Sequence, residues 1–234
     1  GRPLRLSSVR VCSPIPHPEQ DIICLGVNYA AHADESAQFD RKAFLLDRKK
    51  ATYFSKRAYQ TSGPDDLIPS YPELVTSLDY EAELAVIIGR DCKNVCERDA
   101  AACIFGYTVL NDVSARNLQT EHNQWYFGKS LDGFTPMGPC IVTEDEIPYP
   151  PALSISATVN GELRQNSNTK CLLHSISEII AELSQGMTLL AGTIIATGTP
   201  AGVGMGFDPP KFLKSGDVVT CEIEKIGRLT NMVK

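Results

Sequence analysis

Leu78-Asp79-Tyr80-Glu81-Ala82-Glu83-Leu84-Ala85-Val86-Ile87-Ile88-Gly89 carries the most informative pattern in the chain. From Glu81 to Gly89 it reads as a strand with a polar start and a fully buried end. Successive strand side chains point to opposite faces, so Glu81 and Glu83 project together, with Ala85 and Ile87 continuing their side. Two carboxylates at the mouth of a buried strand repel and lose hydration unless a cation or proton compensates them. Hard divalent ions such as Mg²⁺ or Mn²⁺ take such oxygen ligands. Spacing by itself favours the plainer alternative, a strand whose first turn is solvent-exposed.

Working outward, Ile104 to Asn111 reads as a second strand and is followed by Asp112 in Asn111-Asp112-Val113-Ser114-Ala115-Arg116. As a third ligand, Asp112 would complete an oxygen set with positions open for substrate. As a helix N-cap it would instead accept from the amides of residues 114–115. Further strands are predicted at Asp21–Val27, Ala51–Ser55, 192–197 and 217–224, with a last one reaching Val233 after a turn at Lys225–Gly227. Ser154–Val159 and Glu162–Asn166 flank Asn160-Gly161, the pair favoured in a two-residue type I′ hairpin. The clearest helix is Ser175–Gln185: Leu172, Ile176, Ile179, Ile180 and Leu183 recur at helical spacing, and Ser175-x-x-Glu178 is a capping box. Asp112 to Gln119 reads as a helical turn, and residues 33 to 50 as a loop or short helix acting as a lid. Strands outnumber helices without alternating regularly with them, which speaks against a Rossmann sheet or a TIM barrel. The expected class is α+β, β-rich: a proline-punctuated N-terminal lead-in over residues 1–21, then one catalytic domain over 22–234.

Composition narrows the function. Twenty-eight acids against 22 bases give a net charge of −6 over 234 residues, and no Lys/Arg block could track a phosphate backbone, so nucleic acid is not an expected partner. No run approaches the roughly 18–20 apolar residues of a membrane span. The eight cysteines are scattered through apolar segments and form no CxxC pair, so reduced, mostly buried thiols in a cytoplasmic protein are expected. Gly128-Lys129-Ser130 lacks the first glycine of a P-loop, Gly202-x-Gly204-x-Gly206 has the wrong spacing for a dinucleotide fingerprint, and neither GxSxG nor HExxH occurs.

Two further candidates remain. His32-x-x-Glu35 places an imidazole and a carboxylate within reach on a helical turn, a pairing that fixes the tautomer and suits a general base. A surface helix pair is the alternative. Lys129 reads either as an anion holder or as a solvated lysine.

In order along the chain, Gly26-Val27-Asn28-Tyr29-x-x-His32-Ala33-x-Glu35, Asp79-Tyr80-Glu81-x-Glu83-Leu84-Ala85, Asn111-Asp112-Val113-Ser114-Ala115-Arg116-x-x-Gln119, Gly128-Lys129-Ser130-x-Asp132 and Thr197-Gly198-Thr199-Pro200-Ala201-Gly202-Val203-Gly204 resemble the fumarylacetoacetate hydrolase family, specifically its shorter members. The resemblance spans about residue 22 to the C-terminus. It implies a mixed β-sandwich roll with a few short helices, assembled as a homodimer, holding Mg²⁺ or Mn²⁺ through Glu81, Glu83 and Asp112. The implied substrate is a small 2-oxo acid of the acylpyruvate type, cleaved hydrolytically at a C–C bond. His32 with Glu35 would activate water, and Lys129 would stabilise developing charge. Arg116, Gln119, Thr199, Gly198 and Lys56 would contact the substrate. Family decarboxylases acting on oxaloacetate, and isomerases acting on 2-hydroxyhepta-2,4-diene-1,7-dioate, are alternatives of the same chemistry; a catalytically silent metal or oxo-acid binder is one of a different class. The chain departs from the family pattern in having no aspartate in Ile22–Val27, which fits the shorter branch. Asn117 and Leu131 replace a common aspartate and phenylalanine, and Lys56-Arg57 replaces Lys-Pro.

Overall fold

The computed structural model describes residue 5, residues 8–44 and residues 47–234. Strand β5 (Ala82–Ile88) is buried along its whole length, and its period-2 alternation sets the layering. Leu84, Val86 and Ile88 face one core cluster, while Ala85 and Ile87 join Ile22, Cys24, Leu110 and Ala196 in another. A side chain can have both neighbours apolar in this way only at the centre of a covered sheet. Each Val, Leu or Ile side chain among them contributes about 1.5–3 kcal/mol on burial.

β5 lies inside a six-stranded mixed sheet with β1 (Ile22–Gly26), β2 (Thr52–Lys56), β6 (Ile104–Asn111), β8 (Met137–Thr143) and β11 (Ile194–Ala196), in the order β2-β1-β11-β5-β6-β8. Only β1 and β11 run parallel; the other neighbours are antiparallel. A second sheet has the order β10-β9-β12-β13-β3, from β3 (Leu67–Ile68), β9 (Ser154–Val159), β10 (Glu162–Asn168), β12 (Val218–Ile223) and β13 (Gly227–Val233). Ile155, Ala157, Val159, Val219, Cys221 and Ile223 of that sheet share the core cluster of Leu84 and Val86, so the two sheets pack face to face. A short ladder of β4 (Leu78–Asp79) and β7 (Ser114–Ala115) lies at the polar end of β5.

Among the described residues there are five α-helices, all short: α1 (Ala30–Phe39), α2 (Arg41–Phe44), α3 (Arg116–Glu121), α4 (Tyr126–Lys129) and α5 (Ile176–Gly186). The expected β-rich roll with few short helices is the fold observed. Ser175 caps α5 with both halves of the capping box formed. Asn160 and Gly161 take φ of 52° and 80°, as a type I′ turn demands. Residues 33–39 and 41–44 are helical, belonging to α1 and α2 with Asp40 extended between them, whereas positions 45–46 of the expected lid lie outside the described residues, as do 1–4 and 6–7 of the lead-in. β8 was not predicted, because Gly138-Pro139 argues against a strand; it is an edge strand, where a missing amide donor is tolerated. The cysteines depart from expectation too: all eight are free, but Cys12, Cys96, Cys140 and Cys171 are exposed and only four are buried. No helix among the described residues is long and apolar enough to cross a membrane.

Candidate active site

The antiparallel ladder between β5 and β6 pairs Glu83 with Leu110 and Ala82 with Asn111. One residue further on, the Asp112 amide donates to the Glu81 carbonyl at 2.9 Å. That extension brings the Asp112 carboxylate to the strand face carrying Glu81 and Glu83. One oxygen from each of the three lies within 4.8 Å of the others, and all three residues are buried. The exposed-strand alternative therefore falls. So does the capping one: Ala115 is the N-cap of α3, and the Asp112 carboxylate meets lysines instead.

Three buried cations surround these acids. Lys129 Nζ lies 2.8 Å from Glu81 Oε2 and 2.7 Å from Asp112 Oδ2, so Lys129 is no solvated lysine. Arg116 reaches Glu81 Oε1 through Nη1 at 2.6 Å and Asp79 Oδ2 through Nε at 2.9 Å. Lys56 Nζ stands 2.7 Å from Asp112 Oδ1 and also donates to the carbonyls of Val113 and Lys129. The charges respond to this company. Burial alone would discourage Glu81 from ionising, but Lys129 and Arg116 outweigh it and hold its carboxyl well below the usual range. Burial, reinforced by Asp112 and Glu81, pushes Glu83 well up. Burial also works against the charges of Arg116 and Lys129, yet Asp79 and Glu81 in the first case and Asp112 and Glu81 in the second raise them.

The donor set fits a hard divalent cation. Glu83 accepts one amide, Gly198 N–H at 2.8 Å, and has no ion-pair partner among the described residues. Asp112 Oδ1, although close to Lys56, accepts no hydrogen bond. A buried carboxylate without a counter-ion and an orphaned carboxylate oxygen are what oxygen coordination would satisfy.

α1 brings the imidazole. Asn28 fixes the approach to this helix, donating from Nδ2 to the carbonyls of Thr197 and His174 and accepting the His174 amide on Oδ1. His32 Nδ1 lies 3.0 Å from Glu35 Oε2, and Glu35 Oε1 accepts the Gly202 amide at 2.9 Å. A carboxylate only accepts, so Nδ1 carries a proton, and in the neutral ring Nε2 keeps its lone pair. Ser36 Oγ is 3.3 Å from that Nε2. Gly206 makes room for Glu35, since a Cβ there would overlap its carboxylate.

His32, Glu81, Arg116, Gln119, Lys129 and Thr199 share the wall of one small cavity of about 10 Å³, whose apolar side is made by Phe44, Phe54 and Trp125 together with Leu25 and Val27. The other predicted residues stand off that wall. Glu35, Glu83 and Asp112 support it from their pairings, Lys56 is fully enclosed against Asp112, and the Gly198 amide is committed to Glu83. The Thr199 hydroxyl donates to the Ala82 carbonyl and accepts from Gln165 Nε2.

Sequence reasoning left several positions unassigned. Asp79 is fully buried and accepts from Arg116 Nε and from the amides of Tyr80, Gly204 and Met205. Its signal was present, because Asp79, Glu81 and Glu83 alternate on one side of an extended chain. Gln165, which accepts the Ala82 amide and donates to Thr199 and Pro200, has no comparable signal in β10.

The family description that matches residues 21–234 is "Fumarylacetoacetate (FAA) hydrolase C-terminal". Oxaloacetate tautomerase YisK of Bacillus subtilis (strain 168) is 46% identical over 228 residues, covering 97% of this chain and 74% of its own length. The mitochondrial oxaloacetate tautomerase fahd2 of Xenopus laevis is 44% identical over 232 residues, covering 98% and 70%. Among solved structures, a fumarylacetoacetate hydrolase from psychrophilic Exiguobacterium antarcticum superposes with a TM-score of 0.85 at 45% identity, over 96% of this chain and 78% of its own.

Proposed function

The chain belongs to the fumarylacetoacetate hydrolase family, and from that premise we propose that it is a divalent-metal-dependent enzyme moving a proton at the carbon beside the 2-oxo group of a small 2-oxo acid, oxaloacetate being the leading substrate. One observation carries this reading: a paired imidazole, two buried cations and a carboxylate of an oxygen-donor triad converge on one cavity. The two relatives named as oxaloacetate tautomerases support the choice of substrate.

Glu81, Glu83 and Asp112 would hold Mg²⁺ or Mn²⁺, which supplies Lewis-acid polarisation of the 2-oxo group when bound. His32 Nε2 takes the proton from C3 and returns one there in the reverse direction, the 2-oxo oxygen gains its proton from solvent as the enol forms and gives it back to solvent in the reverse, and Glu35 keeps Nδ1 protonated and the ring oriented. As the C3 proton leaves, negative charge gathers on the 2-oxo oxygen; Lys129 and Arg116 face that charge from a dry site where it is poorly solvated otherwise. Gln119 and the Thr199 backbone complete the wall that orients the acid. The low permittivity around these buried side chains strengthens each of these interactions.

Hydrolytic C–C cleavage of an acylpyruvate is the second reading, favoured by the His32–Glu35 pair, which is equally equipped to activate water. There, water and the acylpyruvate yield pyruvate and a carboxylic acid. One experiment separates the readings. Loss of the oxaloacetate enol is followed by ultraviolet absorbance, and pyruvate release is measured from oxaloacetate and from acetylpyruvate, each with Mg²⁺ and with a chelator. Mg²⁺-dependent enol conversion without pyruvate release is the expected result. Release from acetylpyruvate would move the assignment to hydrolysis, release from oxaloacetate to decarboxylation. Inertness toward both compounds would remove the reading.

A further inference from the structure

Trp125 stands on the cavity wall, yet none of the chemistry above uses it. It is the chain's single tryptophan and immediately precedes α4. Its ring rests against Gly26 of β1, where any Cβ would overlap the indole. Phe44 lies 5.4 Å from it at a 43° tilt, and Phe54 meets it edge-on at 5.2 Å and 69°. These three rings, with Leu25 and Val27, close the apolar side of the cavity that holds His32, Glu81 and Lys129. A volume of about 10 Å³ admits one water. Pyruvate has six heavy atoms to water's one, so a wall must move before any 2-oxo acid can bind.

Of the three rings, Trp125 is held by the least regular structure. Phe54 belongs to β2 and lies under the Lys129 ammonium, 5.4 Å from its ring centre, and Phe44 is buried at 3% exposure. Trp125 is half-buried and sits at the end of the exposed connection 122–124, outside any strand ladder. Beyond it lies a second cavity of about 400 Å³, sharing Phe54, Gln119 and Trp125 with the first. The rest of that outer wall is mainly polar, including Lys42, Thr52, His122 and Gln124. Lys42 and His122 have no ion-pair partner among the described residues, and the neighbouring Asp40 is engaged by the amides of Lys42 and Ala43.

We propose that Trp125 is the specificity-determining partition of this site: a bound 2-oxo acid drives the indole off Gly26, and the substrate's distal substituent then occupies the outer cavity, which takes polar tails. The inference rests on the 2-oxo-acid reading above. It assigns Gly26 a task as well, since only a residue without a side chain lets the indole close the inner cavity.

The test uses oxalate, a planar dianion with the shape of a 2-oxo-carboxylate head and no reactive carbon. It is titrated into the protein with Mg²⁺, binding being read by calorimetry and the indole by its emission. In the unsubstituted protein, emission is expected to move to longer wavelength and acrylamide quenching to rise in step with the binding heat. Gly26→Ala is expected to show the shifted emission before any ligand is added. It should also bind oxalate about threefold more tightly, because no closed population has to be opened. Trp125→Phe carries the same affinity prediction if Gly26→Ala fails to fold. With oxaloacetate and 2-oxo diacids of increasing chain length, followed as keto–enol conversion, Trp125→Phe is further expected to flatten the dependence of kcat/KM on tail. Binding heat with unchanged emission, or weaker oxalate binding in the variants, would overturn the partition. Absence of any binding heat in the unsubstituted protein would instead remove the 2-oxo-acid reading, and the partition with it.

Discussion

Glu35 Oε2 lies 3.0 Å from His32 Nδ1, while the other oxygen of the same carboxylate accepts the Gly202 amide at 2.9 Å. The orientation of the imidazole is thus tied to a turn far along the chain. That turn contains Gly206, whose missing side chain leaves Glu35 its space. Gly206→Ala should therefore act like Glu35→Ala, since one displaces and the other removes the partner of Nδ1. Both variants are expected to lose about 10²-fold in kcat for the proposed proton transfer, the lower end of what a general base contributes. Steady-state kinetics with Mg²⁺ would check this, and wild-type turnover in Gly206→Ala would show that Glu35 does not set the ring.

His32→Ala removes the base but none of the three carboxylates. Its kcat should fall by about 10²–10⁴-fold, while Mn²⁺ affinity, read by electron paramagnetic resonance, stays unchanged. A parallel loss of Mn²⁺ affinity would reassign His32 as a ligand.

Glu83 is raised by burial first and by Asp112 and Glu81 second, so its charge is a burden without a cation. Glu83→Gln keeps an oxygen for the Gly198 amide and removes that charge. The metal-free melting temperature should hold or rise. In the unsubstituted protein, Mn²⁺ at about 100 times its Kd would add about 2.7 kcal/mol, roughly 5–11 °C for a chain of this size. The variant should lose that gain, and an undiminished shift would place the ion elsewhere.

Asp79 joins Arg116 to the amides of Gly204 and Met205 in a fully buried position. Asp79→Ala leaves a buried guanidinium without this partner and three amides, those of Tyr80, Gly204 and Met205, without theirs. Breaking a buried pair from one side costs about 3–5 kcal/mol, or roughly 6–20 °C in melting temperature. Asp79→Asn should cost less, because its amide oxygen still accepts. Urea unfolding of both variants measures the difference; equal stabilities would mean that the charge of Asp79 is immaterial.

Much of the architecture was legible from local pattern. Ile104–Asn111 was expected as a strand and is one over those same residues, and Ser175 with Glu178 caps α5 as the box predicts. Both follow from short-range physics, alternation in one case and unsatisfied helix amides in the other. β8 was illegible because Pro139 is a poor strand residue everywhere except an edge, and edge status is a property of the whole sheet. Spacing likewise misjudged Asp112, whose position suits a helix cap, while lysines from β2 and α4 claim its carboxylate.

The chain by itself determined which groups are available and which share a strand face. Asp79, Glu81 and Glu83 are related by alternation, and His32 and Glu35 by one helical turn, whatever surrounds them. Only the tertiary structure decided that these two local constellations meet, that Lys129 and Arg116 lie between acids rather than in water, and that Trp125 covers the result. The reason is physical. Periodicity is imposed by bonds between near neighbours, whereas burial and charge compensation depend on segments that touch only after the sheets have packed.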